Sequence, residues 1–263
     1  MSIWASGDLY EPYVGRWSRL VAADFLRWLG APAEKRWLDV GCGTGALSRA
    51  IVEAAAPADV TGIDPSDAYV AYASRNVPAP QAHFEVGDAQ SLPFPSQSFD
   101  CAVSGLVLNF LADPAAGVAE MARVTRPGGT VAAYLWAYAD KMELMRYFWD
   151  AATALDGGAV ELDEGRRFPI CNPQSLQELF AGAGLEQVST RSIDVPTNFR
   201  DFDDYWQPFL GGQGPAPGYA MSLSEASRAA LRDRIRAALP IENDGSIRLI
   251  ARAWGVRGLV PAA

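Results

Sequence analysis

Apolar positions along this chain switch between two periods. Residues 18–29, SRLVAADFLRWL, repeat apolar side chains on a helical period and stop at Gly30 and Pro32. Short apolar runs then predict strands at 36–40 (RWLDV), 59–64 (DVTGID), 83–88 (HFEVGD), 99–105 (FDCAVSG) and 130–136 (TVAAYLW). Amphipathic stretches predict helices at 46–55, 68–76 and 114–124, with a turn at RPGG, 126–129. Strands alternating with helices of about ten residues need crossover connections. That implies a mostly parallel sheet with helices on both faces.

The second half reads differently. Residues 141–155 are helical and aromatic-rich, NPQSLQELFAGAG (172–184) is a short helix closed by glycines, and LEQVSTRSIDV (185–195) is a strand. Residues 199–240 form an excursion of two helical segments split by PFLGGQGPAPGYAMS, 208–222. The chain returns as SIRLIARAWGV, 246–256, without an obligatory helical crossover, so this last strand is free to run antiparallel. The expectation is an α/β, doubly wound, mostly parallel seven-stranded sheet with an antiparallel last strand and a helical lid insertion. We expect one domain over 1–263: an N-terminal cap at about 1–30, a core at about 31–140, helical insertions at about 141–170 and 199–240, and the last strand at about 246–256.

Composition narrows the partners. The 263 residues carry a net charge of -9, and no Lys/Arg cluster stands out, which argues against a nucleic-acid binder tracking phosphates. The three cysteines, Cys42, Cys101 and Cys171, are few, odd in number and far apart, which fits a reducing compartment and no disulfide framework. The N-terminus lacks a basic region followed by an apolar core, and no apolar run reaches the ~18–20 residues that span a bilayer. We expect a cytoplasmic protein with a small-molecule partner, no membrane span and no metal, since no His/Cys/carboxylate cluster has ligand spacing.

The chemistry concentrates in LDVGCGTGALSRAI, 38–51. Gly41, Gly43 and Gly45 follow a buried strand and open a helix, which suits a turn where backbone approaches a ligand and helix N–H groups face it. Gly41, Gly43 and Ala46 also match the dinucleotide fingerprint G-x-G-x-x-A. Asp64 ends the second strand in GIDPS, where a carboxylate can accept from both ribose hydroxyls; helix capping is its bland alternative, and Ser66 is the better cap. Asp88 and Ala89, in GDAQSLPF, suit an adenine edge, and a turn-forming Asp88 is the alternative. Asp39 lies in an otherwise apolar strand and needs partners. The glycine-loop N–H groups and a ligand ammonium are the candidates.

Taken in order, LDVGCGTG, GIDPS, GDAQSLPFPSQSFD and EMARVTRPGG resemble the class I S-adenosylmethionine-dependent methyltransferases, nearest to the small-molecule branch of the ubiquinone/menaquinone-biosynthesis type. The resemblance carries motifs over about 10–136. It implies a Rossmann-like fold and S-adenosylmethionine as cofactor, with S-adenosylhomocysteine as product. It implies that Asp39 helps anchor the methionine amino group and that Gly41, Cys42, Gly43 and Gly45 pass close under methionine and ribose, Cys42 as a small packed residue. Asp64 would hold the ribose, Pro65 and Ser66 would shape the adenine side, and Asp88, Ala89 and Gln90 would border the ring. Ser104 and Gly105 would pass over the sulfonium. From YEPYVGRW, Tyr13 and Trp17 would cover the cofactor.

The chain departs from the family's pattern after the fourth strand. Relatives often carry a histidine there, whereas LVLNFL (106–111) has Asn109, a candidate for orienting an acceptor, with lining a helix or turn as the equal alternative. The single histidine, His83, begins the third strand on the adenine side and reads as structural. An acceptor pocket would draw on Asn109, Trp136, Tyr138, Trp149, Trp206 and Phe209, with packing of the insertion as the alternative for each aromatic. Three activities share this pattern: methyl transfer to a small apolar or aromatic metabolite, an NAD-dependent oxidoreductase, and a non-catalytic S-adenosylmethionine-binding protein.

Overall fold

A computed structural model describes residues 15–211 and 214–262. Tyr13 lies outside them. Strands β1 (Arg36–Val40), β2 (Asp59–Asp64), β3 (Ala82–Val86), β4 (Phe99–Gly105), β5 (Thr125–Trp136), β6 (Glu186–Phe199) and β7 (Ile247–Leu259) form one seven-stranded sheet in the order β3-β2-β1-β4-β5-β7-β6. Pairs β3–β2, β2–β1, β1–β4 and β4–β5 are parallel. β7 runs antiparallel to β5: Gly128 donates to the Val260 carbonyl and Val260 to that of Gly129, while Ala137 donates to that of Arg252. As β5 advances, its partners on β7 recede. The expected fold, a mixed Rossmann-like sheet with helices, is the one found.

The chain divides into two compact units. The sheet unit comprises Ser18–Leu135, Ile170–Ile193 and Ala253–Ala263; the helical unit comprises Met1–Trp17, Trp136–Pro169 and Asp194–Arg252. In the sheet unit, β1 and β4 are buried almost throughout, which explains why they read as unbroken apolar runs. Helix α1 (Arg16–Leu29) buries Val21, Ala22, Phe25 and Leu26, and Phe25 packs on Tyr134 of β5 at 4.8 Å between ring centroids. Helices α2 (Ala46–Ala54), α3 (Asp67–Asn76) and α4 (Pro114–Val124) follow β1, β2 and β4. Asp113 caps α4 by accepting from the Ala115 and Ala116 N–H groups, with Pro114 beside it in the first turn. Helix α7 (Pro173–Gly182) precedes β6.

The helical unit holds α5 (Glu143–Leu155), the short α6 (Glu164–Arg167) and α8 (Phe202–Trp206), then α9 (Pro215–Ser222) and α10 (Glu225–Ala238). The Arg146 guanidinium joins α5 to α6 through both oxygens of Asp163, at 3.1 and 2.7 Å. The Tyr205 hydroxyl donates to the Leu144 carbonyl at 2.8 Å, tying α8 to α5.

Three boundaries differ from the sequence reading. RPGG is a bulge inside β5 and does not precede the strand: Phe99 pairs with Thr125, but Cys101 pairs with Thr130, so β5 accommodates extra residues opposite β4. The divider 208–222 is itself largely helical, as a 3₁₀ turn over Gln207–Gly211 and as α9, which Pro215 begins where its missing N–H costs nothing. β6 continues past 195 to Phe199 through exposed Pro196, which an edge strand accommodates.

The bulge explains Gly129. A Cβ there would lie 2.6 Å from the Asp100 carbonyl and 2.8 Å from that of Arg126, both backbone atoms that cannot yield. Gly129→Ala should therefore lower unfolding free energy by roughly 1–3 kcal/mol in urea titration, whereas Gly182→Ala, with open space around it, should not lose stability.

Candidate functional site

Strand order reverses between β1 and β4, since β2 and β3 lie to one side and β5 to the other. Beyond the carboxyl ends of such strands an open sheet forms a crevice. Four segments of the sheet unit end there: the glycine loop after β1, the GIDPS turn after β2, the GDAQ turn after β3, and residues 105–110 after β4.

All three loop glycines are left-handed, with φ of 76° at Gly41, 50° at Gly43 and 83° at Gly45. Their surroundings differ. A Cβ on Gly41 would meet Val107 at 2.6 Å, so this glycine permits close packing of the two central strand ends. Nothing lies within 4 Å of a Cβ on Gly43, which leaves open space beside the loop backbone.

Asp64 holds this loop in place. Its Oδ2 accepts from the Gly43 N–H and its Oδ1 from the Ser66 N–H, each at 3.0 Å. Sequence reasoning gave the glycine-loop N–H groups to Asp39, but the geometry gives the Gly43 N–H to Asp64. Burial raises the Asp64 carboxyl above its ordinary value, and the two backbone donors oppose that rise. Each oxygen keeps a lone pair for a further donor. Ser66 caps α3 as expected, accepting from the Tyr69 N–H, and Pro65 separates it from Asp64.

Asp39 is only 1% exposed. Its Oδ2 accepts from the Ser48 hydroxyl at 2.7 Å, while its Oδ1 is buried with no hydrogen-bond partner. Burial pushes its pKa up to about 7; the Ser48 hydrogen bonds oppose that shift, and the Asp64 charge adds to it. An orphaned, desolvated carboxylate oxygen is complementary to a cation. Cys42 is a packed, buried thiol whose pKa burial drives far up, with Asp39 and Asp64 adding to it, which disfavours the thiolate.

After β3, exposed Asp88 closes a turn by accepting from the Gln90 N–H at 2.9 Å, and Ala89 is buried beside it. The Gln90 side-chain oxygen accepts from the Asp113 N–H at 2.7 Å, which joins this turn to the start of α4. After β4, the buried Ser104 hydroxyl donates to the Val40 carbonyl at 2.8 Å. Gly105 passes so close to Tyr134 that a Cβ would meet its hydroxyl at 2.5 Å. Leu106 then adopts φ 64°, an unusual conformation for a branched side chain. In the 3₁₀ turn over Leu108–Phe110, Asn109 is 9% exposed and its Nδ2 has no partner. His83 is exposed near the start of β3, opposite Thr61, and its Nε2 lies 3.4 Å from Asp59.

The remaining aromatic candidates lie in the helical unit, all buried. Phe148 links Trp149 and Phe209 (centroids at 5.1 and 4.6 Å), and Trp206 packs on Phe209 at 6.0 Å. Tyr138 contacts Phe168 at 5.7 Å, and Trp136 ends β5. Trp17 packs edge-on against Phe199 at 5.6 Å. Sequence reasoning missed three features: Ser48, Leu106 and Glu164. Glu164 is buried, receives the Trp149 indole N–H and has a pKa that burial raises to about 7. No local pattern marks any of the three: the Ser48 and Glu164 contacts depend on how their elements pack, and φ of Leu106 is not written in its side chain.

Among the described residues, no three His, Cys, Asp or Glu side chains are placed to hold a metal ion, and no helix is long and apolar enough to cross a membrane.

The pKa of Asp39 fixes a sign. A folded-state value above the unfolded one means that burying this acid costs nothing below pH ~4 and progressively more as pH rises toward 7. Asp39→Asn should therefore gain stability relative to wild type across that window, by roughly 2–4 kcal/mol at its upper end, in urea unfolding at successive pH values. A difference that does not vary with pH would contradict the raised pKa.

Residues 38–133 match the family described as "Methyltransferase domain". The chain is 32% identical over 180 residues to 2-methyl-6-phytyl-1,4-hydroquinone methyltransferase of Synechocystis sp., covering 67% of this chain and 55% of that protein. It is 38% identical over 114 residues to demethylmenaquinone methyltransferase of Renibacterium salmoninarum, covering 43% and 45%. The chain thus spans about half the length of these relatives. Haemonchus contortus phosphoethanolamine N-methyltransferase 2, solved with S-adenosylhomocysteine, superposes with a TM-score of 0.58 at 17% identity, covering 93% of this chain and 53% of that one. At that identity the likeness is one of fold.

Proposed function

From a chain whose core is a class I S-adenosylmethionine-dependent methyltransferase domain, with S-adenosylmethionine as its cofactor, we propose an enzyme that methylates a small apolar or aromatic metabolite. The observation that carries the reading is the buried, unpartnered Oδ1 of Asp39 beneath a glycine loop that is open at Gly43. A cationic amino group next to a ribose is what that pair of features suits. The named relatives act on hydroquinone- and menaquinone-type rings, which supports an aromatic acceptor.

When bound, the cofactor supplies a methyl group already activated by positive sulfur. The protein's own work is then to bind, orient and exclude water. In this reading Asp39 takes the ammonium with its free oxygen. Asp64, fixed by Gly43 and Ser66, accepts from the ribose hydroxyls with its remaining lone pairs. Asp88 and Ala89 border the adenine, and the Gln90 backbone follows them while its side chain holds the turn to α4. Gly105 and Leu106 would border the donor with their backbone. Asn109 offers its unpartnered amide N–H to an oxygen of the acceptor, which orients the nucleophile without removing a proton.

Thermal unfolding with S-adenosylmethionine, S-adenosylhomocysteine and NAD in parallel tests the donor. Saturation near 100 Kd should add about 2.7 kcal/mol, visible as a Tm rise of several degrees, for the adenosyl pair only. Stabilisation by NAD alone would return the glycine loop to a dinucleotide. Asp64→Ala should weaken S-adenosylhomocysteine roughly ten- to a hundredfold by calorimetry, since charged hydrogen bonds of about 1.5–3 kcal/mol are lost.

A further inference from the structure

An edge strand presents unpaired backbone donors and acceptors, and folded proteins blunt such edges with proline, lysine or irregular backbone. The sheet has two edges, β3 and β6. β6 is blunted by exposed Pro196 and by left-handed Gln187. β3, AHFEV, holds neither proline nor lysine, and among the described residues no strand pairs with its outer side. The Val60 N–H donates to the Gln81 carbonyl at 2.8 Å, and the Gly87 N–H donates to that of Asp64 at 3.1 Å. Residues 81 and 87 therefore face β2. Backbone groups of successive strand residues alternate in side, so His83 and Glu85 face β2 as well, while Ala82, Phe84 and Val86 turn theirs outward. The Ala82 N–H is taken by the Ala79 carbonyl at 2.9 Å. Both groups of Phe84, both of Val86 and the Ala82 carbonyl are left facing the open side.

We propose that this edge pairs with the same edge of a second copy of the chain, antiparallel, about a two-fold axis at Phe84. In that register the two Phe84 residues exchange N–H···O bonds, and each Val86 N–H meets the Ala82 carbonyl of the second copy. The bond forgone is the one from the Ala82 N–H, which is already spent inside the chain. Side chains decide the register, because residues directly opposite share a face. His83 meets Glu85 of the second copy, and Glu85 meets its His83, so an imidazole N–H donor faces a carboxylate acceptor twice over. Ala82 meets Val86, small against branched and both apolar. An axis at Glu85 would set glutamate against glutamate, and an axis at His83 would set histidine against histidine. AHFEV is complementary to its own reverse only about Phe84.

The groups are free to pair. His83 and Glu85 are exposed on one face of the sheet, and Val86, on the other, is 48% exposed. Among the described residues Glu85 has no ion pair. The Nε2 of His83 lies 3.4 Å from Asp59, which leaves the other ring nitrogen for a second carboxylate. A net charge of -9 repels a second copy in general, so association falls to a surface whose polar groups match locally. A strand of five residues makes a small interface, which suits reversible exchange between one and two chains. None of this depends on the methyl-transfer reading.

Sedimentation equilibrium of the full-length chain, over the micromolar range, tests the pairing. The mass should climb from that of one chain toward that of two as concentration rises. His83→Glu sets carboxylates against each other, and Glu85→Lys sets lysine against histidine, so each variant alone should associate about tenfold more weakly or worse. Mixed in equal amounts the two should pair with one another. The new acid of one then faces the new base of the other, and the retained Glu85 faces the retained His83. Val86→Pro removes an outward N–H without touching β2 and should weaken the dimer independently. Circular dichroism checks that each variant is folded; if either charge variant is not, Val86→Pro decides. A mass of one chain at every concentration, which would leave the edge to a strand of a different protein, overturns the proposal. So does a dimer that all three single variants leave intact, or a mixture of folded charge variants no more associated than its components.

Discussion

The Asp64 carboxylate reaches back 21 positions to hold the loop after β1. One oxygen holds Gly43 and the other holds Ser66, while the Ile63 carbonyl accepts from both Gly41 and Cys42. The end of β2 thus grips the loop after β1 at three backbone N–H groups. Left-handed glycine backbone is entropically costly to fix, and these bonds offset that cost. A loop so held keeps Asp39 shielded beneath it, with one oxygen on Ser48 and the other unpaired. Freeing Gly43 would loosen the cover over Asp39.

Local penalties gather at the same end of the sheet. Asp39 is desolvated, Leu106 is left-handed and Asn109 keeps an unpaired amide. They are not confined there, since the buried Trp37 indole N–H has no partner and Glu34, Ala56, Gln97 and Gln187 are also left-handed; other polar groups of the sheet unit are well satisfied. Asp113 caps α4 with two bonds, and Arg123 binds Glu120 and the carbonyls of Leu92 and Phe94. Strain and unmet hydrogen bonds persist in folded proteins where the surrounding structure over-determines them, and they cluster at working sites.

Much of the sheet was legible from apolar periodicity, because β1 and β4 are covered on both faces and cannot hide their pattern. Features set by register were not. RPGG carries every mark of a turn, and only the offset between Phe99–Thr125 and Cys101–Thr130 makes it a bulge. Spacing singles out both acids, but the choice between Asp39 and Asp64 as partner of the loop depends on where two carboxylates point, which spacing does not encode. Gln90 looked free to face a ligand, yet its side chain reaches the backbone of Asp113, 23 positions away.

The helical unit is assembled from three stretches of chain, and the sheet unit from three others that alternate with them. Strand β7, which follows every other strand in the sequence, contributes Ile247–Arg252 to the first unit and continues into the second from Ala253. During synthesis on the ribosome, neither unit is complete until β7 has emerged. The glycine loop is made early but must wait for the last strand before its sheet closes. Exchange of one contiguous gene segment therefore cannot replace either unit whole, because each is built from stretches that alternate with the other's.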